Sequence, residues 1–222
     1  EVIRLALSDR AKILNHISTT FVFGWSVKKT LFETDTNPDM DHLDFGYSQS
    51  KWVSEQVVLR AMRHGLQARI FRPALLSPSI AGEGYHFDIS IRLLAFMLKH
   101  RIGTTAENQV SFSPADLAAD NIVAISSLPG SLGRTCHVTR DTHATMLDVT
   151  TILARLTGQD FENFALDDFV PEVIERCRKD DPLFPLLNFL VRSVSNITAM
   201  EFKRYDNSNF QRFRRQAPQG RD

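Results

Sequence analysis

The sequence predicts an α/β fold in which a parallel β-sheet is followed by a mainly helical C-terminal part. Two short apolar stretches, residues 13–17 and 68–71, flank a segment whose apolar residues recur at helical spacing. The order strand, helix, strand indicates parallel strands joined by a crossover helix. After Thr145 the apolar pattern is helical in three successive segments, so we expect helices to cover the last third of the chain.

The N-terminal elements lead into polar residues. A first helix is predicted to end near residues 8–10, and the strand at residues 13–17 is followed at once by residues 18–20, all Ser or Thr. Residues 25–45 are polar and rich in turn-forming side chains, so neither helix nor strand is expected there. The acidic residues of this segment resemble a calcium loop, but the central Gly and the terminal Glu of such a loop are missing. We therefore interpret it as a solvated loop.

The helix over residues 48–64 is predicted from apolar residues at helical spacing, which are Trp52, Val53, Val57, Val58, Ala61 and Met62. Gly65 stands where a C-terminal cap is expected. The strand at residues 68–71 follows, and Pro73 is expected to end it because proline lacks the N–H that a ladder needs.

The next elements follow the same alternation. Residues 89–99 form an amphipathic pattern, "QVSFSP" and "RTCHVTR" each predict a short strand, and residues 115–128 predict a helix with Asp116 as its N-cap. The C-terminal "FKRYDNSNFQRFRRQAPQGRD" is basic with interleaved aromatic residues, a pattern that an RNA-binding tail also shows. The neutral overall charge favours a frayed terminal helix or a linker instead.

Composition narrows the class of protein. The chain has 222 residues, 43% of them hydrophobic, and its 26 Lys plus Arg balance 26 Asp plus Glu, so no net field favours nucleic acid or an anionic membrane. Cys136 and Cys177 are the only cysteines and the seven His show no ligand spacing, so neither a disulfide framework nor a metal site is expected. No apolar run reaches the length of a membrane span, and no signal peptide is evident. We expect a cytoplasmic protein.

Tyr47 and Lys51 lie four residues apart at the start of the predicted helix, in "FGYSQSKWVSEQ". Residues at this spacing share a helical face, so both side chains can reach one small molecule. A nearby ammonium favours the phenolate of a tyrosine and eases proton transfer at neutral pH. Reduction of a carbonyl by hydride needs a proton donor and a fixed hydroxyl for the developing oxyanion. The hydroxyls of residues 18–20 lie at a strand end, where α/β proteins bind ligands.

Three blocks of the sequence resemble the thioester reductase branch of the extended short-chain dehydrogenase/reductase superfamily. This branch contains the terminal reductase domains of nonribosomal peptide and polyketide synthetases, carboxylic acid reductases and aminoadipate reductases. "HISTTFVFG" is similar to its strand ending in a catalytic Ser or Thr, "GYSQSKWVSE" to its GYxxSKWxxE signature, and "RIFRPALLSPS" to its RPG-type strand. Trp52 and Glu55 are features of the branch beyond the Tyr/Lys pair. Weaker similarities extend the resemblance over most of residues 1–200.

The resemblance implies a Rossmann-type parallel sheet, of which this chain holds the C-terminal part. Residues 1–140 would belong to the dinucleotide-binding domain, with a substrate-side helical insertion near residues 80–100. Residues 141–222 would form a helical substrate-binding subdomain and a basic tail.

The resemblance also implies roles for single residues. The catalytic hydroxyl falls on Thr19, four residues before Phe23, with Ser18 as the next candidate. Tyr47 matches the proton donor, and Lys51 matches the residue that holds the nicotinamide ribose. The segment whose backbone lies along the nicotinamide is matched by Pro73, Ala74, Leu75 and Leu76. The implied reaction is the NADPH-dependent reduction of an acyl or peptidyl thioester, held on the phosphopantetheine arm of a carrier protein, to an aldehyde or an alcohol.

Two departures from the family pattern matter. Ala74 replaces the usual Gly of the RPG block, and no G-x-x-G-x-x-G turn occurs in the 222 residues. The family carries that turn in an N-terminal half, where it cradles the cofactor pyrophosphate. We therefore expect the chain to be the C-terminal part of a reductase that needs this N-terminal half as a partner, and to bind NADPH poorly and lack activity alone.

Three alternative functions remain open. Non-redox release by Dieckmann-type cyclisation uses the same fold, and no residue excludes it. A sugar-nucleotide epimerase or dehydratase shares the Tyr/Lys pair, but "SKW" and "PLFPLLNFL" fit that class less well. A non-catalytic remnant that docks a carrier protein would retain the fold without using Tyr47.

Overall fold

A computed structural model of the chain describes residues 1–26, 28–82, 88–107, 109–198 and 204–217. These residues form two compact units. The first unit takes its described residues from 1–82, 113–139 and 204–217, and the second from 88–112 and 140–198. The assignment of residues 1–140 and 141–222 to a dinucleotide-binding domain and a substrate-binding subdomain stays a prediction; in the structure residues 88–112 belong to the second unit and residues 204–217 to the first.

Helices and short strands alternate along the described residues. The helices are α1 (Val2–Leu7), α2 (Gly46–Arg63), α3 (Ile89–His100), α4 (Ala115–Ser126), α5 (Met146–Thr157), α6 (Leu166–Arg176), α7 (Leu187–Thr198) and α8 (Ser208–Gln216). The strands are β1 (Leu14–Ile17), β2 (Thr30–Leu31), β3 (Ala68–Pro73), β4 (Leu75–Ser77), β5 (Ile102–Thr104), β6 (Gln109–Val110), β7 (Phe112–Pro114), β8 (Thr135–Val138), β9 (Ala144–Thr145), β10 (Glu162–Phe164) and β11 (Arg204–Tyr205). Short 3₁₀ helices occupy Thr20–Phe23, Pro129–Ser131 and Phe184–Leu186.

A three-stranded parallel sheet forms the centre of the first unit, with β3 between β1 and β8. Leu14 lies beside Ala68 in one pair, and Ile70 lies beside Thr135 in the other. All six residues of β3 are buried, as expected for a strand covered on both faces of a parallel sheet. The predicted α/β class with a parallel sheet is confirmed.

The side chains of β3 alternate between two apolar clusters, in keeping with the two-residue period of a strand. Ala68 and Ile70 pack with Val58 of α2 in one cluster. Phe71 packs in the other cluster, whose further buried members come from α4, β8 and α8 and are Ala118, Ile125, Cys136, Val138, Phe210 and Phe213. Helix α2 thus forms because its apolar stripe covers the sheet, and Gly65, at φ +99°, lets the chain turn after its end.

The second unit is built around an apolar cluster of helices. Phe96 and Met97 of α3 pack with Phe169 and Val173 of α6, and Ile102 of β5 completes the buried centre. Strand β5 pairs in parallel with β10, while β6 and β9 form an antiparallel pair. Helix α3 lies within the range of the predicted insertion near residues 80–100, whose place on the substrate side stays a prediction, and residues 83–87 lie outside the described residues. Among the described residues, no helix is both long and apolar enough to cross a membrane.

The structure corrects several local expectations. The segment at residues 25–45 contains the short strand β2, and "QVSFSP" divides into β6 and β7. Pro114, and not Asp116, is the N-cap of α4: its ψ of 134° is non-helical, as an N-cap requires, and no side chain caps the helix there. The Asp116 carboxylate instead accepts hydrogen bonds from the N–H of Ile80.

The C-terminal segment is the largest correction to the sequence-based expectations. We expected a frayed helix or a linker, but residues 204–217 form β11 and α8. Phe210 and Phe213 are buried in the core of the first unit. The aromatic residues of this basic helix, spaced three apart, therefore pack the helix into the core of its own chain.

Candidate functional site

Residues 18–23, which we call the hydroxyl turn, follow the carboxyl end of β1. Ser18, Thr19 and Thr20 are all buried. The Thr19 Oγ1 atom accepts a hydrogen bond from the N–H of Phe21 at 3.2 Å and so caps the 3₁₀ helix Thr20–Phe23. The N–H of Ser18 donates to the carbonyl of Phe71 at 2.7 Å and fixes the turn to β3.

Two buried polar atoms near this turn have no hydrogen-bond partner within the described part of the chain. They are the Ser18 Oγ and the His16 Nε2 atoms. Burial lowers the pKa of His16, an effect that Glu55 opposes, so the ring is held towards its neutral form. Buried polar groups are normally paired, so the unpaired hydroxyl of Ser18 marks a place where a ligand can supply the missing bond.

Gly24 ends the hydroxyl turn with φ +50° and ψ −134°, a backbone conformation that is open to little but glycine. A Cβ atom here would lie 1.9 Å from the carbonyl oxygen of His42 and 2.8 Å from the Leu43 side chain. Gly24, the last residue of the "TTFVFG" block, is thus required because the backbone of His42 lies too close to leave room for a side chain.

We expect Gly24→Ala to destabilise the first unit by about 2 kcal/mol or more, because strain and overlap with His42 act together. Urea unfolding followed by the fluorescence of Trp25 and Trp52 measures this. Gly46→Ala is the matched control, since a Cβ there meets nothing within 4 Å and is expected to be neutral or slightly stabilising. Equal unfolding midpoints for the two variants would contradict the prediction.

Tyr47 and Lys51 lie in the first two turns of α2. The Lys51 Nζ atom donates a hydrogen bond to the carbonyl of Ile17 at 3.1 Å and lies 6.0 Å from the centre of the Tyr47 ring. Tyr47 is 49% exposed, so its side chain is not enclosed within the first unit. The ammonium therefore joins the start of α2 to the last residue of β1, directly before Ser18.

A chain of aromatic rings also connects Tyr47 to the hydroxyl turn. The Tyr47 ring stacks on that of Phe45, with 6.0 Å between the centres and an interplanar angle of 20°. Phe45 in turn meets Phe21 edge to face at 6.0 Å. Stacked and edge-to-face pairs of this kind are favourable beyond the area that they bury. The structure thus brings Thr19, Tyr47 and Lys51 into one region of the first unit.

Two further residues of the "GYSQSKWVSE" block hold α2 in place. The Trp52 Nε1 atom donates to the carbonyl of Asn37 at 2.9 Å and fixes the loop before the helix. Glu55 forms a bidentate ion pair with Arg72 of β3, at 2.6 and 3.1 Å. Both charged side chains are almost fully buried, at 2% and 1% exposure. These signature residues thus tether the helix to the loop before it and to β3.

Sequence reasoning gave Arg72 no role, although the structure makes it a central support. Its Nη2 atom also donates to the carbonyl of Asp35 at 3.1 Å, and its guanidinium lies 4.8 Å from the centre of the Phe23 ring. Arg72 thus connects β3, α2 and the hydroxyl turn. The available signal was a charged residue inside the apolar stretch "RIFRPALL", since buried charges are paired.

The residues expected beside a nicotinamide follow the carboxyl end of β3. Pro73 is the last residue of β3 and is buried, while the next three, Ala74, Leu75 and Leu76, are half-buried. The N–H of Ala74 donates to the carbonyl of Val138 at 3.3 Å, so this segment is held against the end of β8. Because β1 and β3 are parallel, the segment and the hydroxyl turn both lie at the end of the sheet where these strands finish.

A buried polar cluster lies under the site. The His137 Nδ1 atom is 2.7 Å from the carbonyl of Asp206, and its Nε2 atom is 3.3 Å from Nη1 of Arg72. A carbonyl only accepts and a guanidinium only donates, so the proton of the neutral ring is on Nδ1. Burial lowers the pKa of His137 to about 3, and Arg72 acts in the same direction. His137 is therefore a neutral structural residue.

Glu33 is the buried carboxylate of this cluster. It accepts hydrogen bonds from the backbone N–H groups of His137 at 2.9 Å, Asn209 at 2.6 Å and Phe210 at 3.1 Å. Burial raises the pKa of Glu33 from an ordinary 4.5 to about 7, although the three donors act in the opposite direction.

The raised pKa of Glu33 leads to a prediction on stability against pH. Between about pH 4.5 and 7 the folded state retains a proton that the unfolded state has lost, so the contribution of Glu33 to stability falls as pH rises. The difference in unfolding free energy between the wild type and Glu33→Gln is expected to shrink over this range, by at most about 1.4 kcal/mol per pH unit. Urea unfolding at several pH values measures it, and a difference independent of pH would contradict it.

Neither cysteine of the chain is suited to act as a nucleophile. Cys136 and Cys177 are free and buried, and burial raises the pKa of both thiols, so neither is a ready nucleophile. Within the described ranges no group of three or more His, Cys, Asp and Glu side chains is arranged to hold a metal ion.

Known proteins resemble the chain in sequence. It is 30% identical over 207 residues to "Non-canonical nonribosomal peptide synthetase cpsA" of Aspergillus campestris. The aligned region covers 87% of this chain and 20% of that protein. The chain is 26% identical over 222 residues to the "L-2-aminoadipate reductase large subunit" of Candida glabrata, which covers 89% of the chain and 16% of that protein. The chain thus spans a fifth or less of the length of these two curated relatives.

A solved structure shares the fold of the chain. "The terminal R domain from the myxalamid PKS-NRPS biosynthetic pathway" superposes with a TM-score of 0.82 at 24% identity, over 96% of this chain and 55% of that one. The model of the NAD-binding family NAD_binding_4, described as "Male sterility protein", matches residues 1–122, which are more than half of the 222. The chain therefore belongs to this NAD-binding family, and the predicted relationship to reductase domains of the thioester reductase branch is confirmed.

Proposed function

We propose that the chain supplies the proton-delivering part of an NADPH-dependent thioester reductase, which releases a carrier-bound acyl or peptidyl chain as an aldehyde or an alcohol. The observation that carries the proposal is the hydrogen bond from Lys51 to the carbonyl of Ile17. It places the Tyr47/Lys51 helix against the strand end that bears Ser18 and Thr19. A phenol, an ammonium and hydroxyls at the carboxyl ends of parallel strands are the groups that carbonyl reduction needs.

The hydrogen bonding of Thr19 leaves it suited to hold a carbonyl oxygen. Its Oγ1 atom already accepts from the N–H of Phe21, so the hydroxyl proton remains available for donation. Tyr47, half exposed on the first turn of α2, is the second donor to the same oxygen. Two fixed donors stabilise the negative charge that grows on the oxygen as its carbon is reduced.

The route of proton transfer follows from the positions of Tyr47 and Lys51. When bound, a nicotinamide cofactor would supply the hydride that reduces the thioester carbon. Tyr47 gives its proton to the oxygen, and the hemithioacetal so formed releases the thiol of the phosphopantetheine arm and leaves an aldehyde. Lys51 stands beside Tyr47, where its positive charge favours the phenolate left behind. Reduction of the aldehyde to an alcohol would need a second reduced cofactor as the hydride source and a second proton from Tyr47, once its phenolate has regained a proton from solvent.

Residues of this chain fit the nicotinamide end of such a cofactor. Lys51 would hold the nicotinamide ribose, and the backbone of residues 73–76 would lie along the ring. The unpaired hydroxyl of Ser18 offers a further polar contact at this strand end. The Gly-rich turn for the pyrophosphate occurs nowhere in the 222 residues. We infer that a further polypeptide segment supplies it, and that these 222 residues alone bind NADPH weakly.

Product analysis tests the proposed reaction. The full-length protein, with its carrier loaded with an acyl thioester, is incubated with NADPH, with NADH and without cofactor, and the products are identified by mass. We expect aldehyde or alcohol only with a reduced cofactor, and faster with NADPH. The same non-reduced cyclic product with and without cofactor would instead support Dieckmann-type release, and no product under any condition would support a carrier-docking remnant.

A further inference from the structure

Residues 204–217, which we call the clasp, bind the loop that follows the hydroxyl turn. Strand β11 pairs in parallel with β2, so that Tyr205 lies beside Leu31. The N–H of Arg204 donates to the carbonyl of Lys29, and the N–H of Asp206 to the carbonyl of Leu31, each at 2.9 Å. A strand of only two residues gains little from its own ladder, so the side chains of the clasp must contribute to holding it in place.

The helix of the clasp is fixed by polar contacts at its start. Glu33 accepts from the N–H groups of Asn209 and Phe210 in the first turn of α8 and satisfies two donors that a helix leaves unpaired. The Asn209 side chain donates to the carbonyl of Thr135, and the Asn207 side chain to that of Thr139, at 3.1 and 3.3 Å. These contacts join the clasp to β8.

Tyr205 is the residue of the clasp that reaches the hydroxyl turn. Its ring packs against the cluster of Val22, Phe23 and Leu31, and its side-chain hydroxyl is hydrogen-bonded to that of Thr20. Burial raises the pKa of Tyr205, while Thr20 opposes the change, so the phenol stays protonated at neutral pH. The ring also meets His137 edge to face at 5.7 Å.

The hydroxyl turn is held by hydrogen bonds within itself and to neighbouring segments, and these include the ones made by Thr19. Thr19 accepts from the N–H of Phe21 through its side chain, and from the N–H of Val22 through its carbonyl at 3.4 Å. A 3₁₀ helix of four residues is marginal without contacts from outside. The Tyr205–Thr20 bond acts on the residue next to Thr19, where a small rotation would move the Thr19 hydroxyl.

We propose that Tyr205 is a positioning residue for the candidate catalytic hydroxyl: by holding Thr20 from the C-terminal clasp, it fixes the orientation of Thr19. This inference rests on the function proposed above. It gives the C-terminal segment a role in the reaction, although the segment follows Thr19 by about 185 positions and carries none of the signature blocks.

Turnover of a carrier-bound thioester by the full-length protein tests the role. We expect Tyr205→Phe, which removes only the hydroxyl, to lower kcat about fivefold to tenfold with KM unchanged, since one neutral hydrogen bond is lost. Thr20→Val is expected to have the same effect, and the double variant is expected to be no slower than either single variant. Thr20→Ser, which keeps the hydroxyl, is expected to restore most of kcat. Arg204→Ala changes an exposed neighbour in the same strand and serves as the control.

Hydrogen exchange supplies a readout that does not depend on the reaction. In Tyr205→Phe the backbone amides of residues 18–24 are expected to exchange faster, while those of α4 keep the wild-type rate. Unchanged exchange at residues 18–24 would overturn the proposal, and so would an unchanged kcat in a protein that Tyr47→Phe inactivates. If Tyr47→Phe leaves turnover intact, the proposed function itself has failed, and faster exchange would then support only the structural link between Tyr205 and the turn.

Discussion

Replacement of Tyr47 by Phe is expected to lower the rate of carrier-linked thioester reduction by about 100-fold to 10,000-fold, the usual range for loss of a general acid. The ring remains, so its stacking on Phe45 should persist and the fold should not change. The oxygen of the substrate, however, loses both one hydrogen-bond donor and its proton source. We therefore expect the loss in kcat, with little change in KM for the carrier-bound substrate.

Ser50→Ala is the matched control for Tyr47→Phe. Ser50 lies on the same turn of α2, and its hydroxyl only donates to the carbonyl of Tyr47 at 2.8 Å within the helix. Its loss should leave the rate within about twofold of the wild type. The rate of aldehyde formation under single-turnover conditions separates chemistry from product release. A Tyr47→Phe protein as fast as the control would exclude Tyr47 as the proton donor.

Glu55→Gln is expected to destabilise the first unit by about 3–5 kcal/mol, the cost of leaving one charge of a buried ion pair uncompensated. Arg72 would remain buried beside Phe23 with a neutral amide in place of the carboxylate. Since Glu55 belongs to α2 and Arg72 to β3, the substitution also loosens the helix that carries Tyr47 and Lys51. Urea unfolding followed by Trp25 and Trp52 fluorescence measures the loss within this unit.

The exposed ion pair between Lys28 and Asp35 provides the control for Glu55→Gln. Its atoms approach to 3.1 Å, but the Lys28 side chain is 58% exposed. Lys28→Met should therefore cost no more than about 1 kcal/mol. A loss for Glu55→Gln as small as that for Lys28→Met would show that the buried pair does not hold α2 against the sheet.

Local patterns in the sequence were sufficient for most of the central fold. The apolar stripe of α2 and the short apolar runs of β1 and β3 follow from periodicity, because each is long or buried enough to carry its own signal. The order of the elements predicted that the hydroxyls of residues 18–20 and the Tyr47/Lys51 pair lie near the carboxyl ends of parallel strands, and the choice of Thr19 among these hydroxyls came from the family resemblance. Their roles in catalysis remain proposals, and Tyr47→Phe tests that of Tyr47.

Contacts between distant parts of the chain were not accessible from the sequence. Glu33 meets Phe210 across 177 positions, and neither residue stands in a pattern that names the other. The two-residue strand β2 exists only because β11 pairs with it, so a propensity argument over residues 25–45 had no signal to detect. Arg72 and Glu55 were visible as charges within apolar segments, but their pairing depends on how α2 crosses β3.

The position of β1 has a consequence for handling the polypeptide. This strand has a partner on one side only among the described strands, and Ile13 just before the strand and Ile17 at its end are 47% and 42% exposed. An open edge flanked by apolar side chains is a template on which strands of other molecules can add. The 222 residues alone should therefore self-associate as their concentration rises. A segment of the same polypeptide that paired with β1 would cover this edge and reduce aggregation.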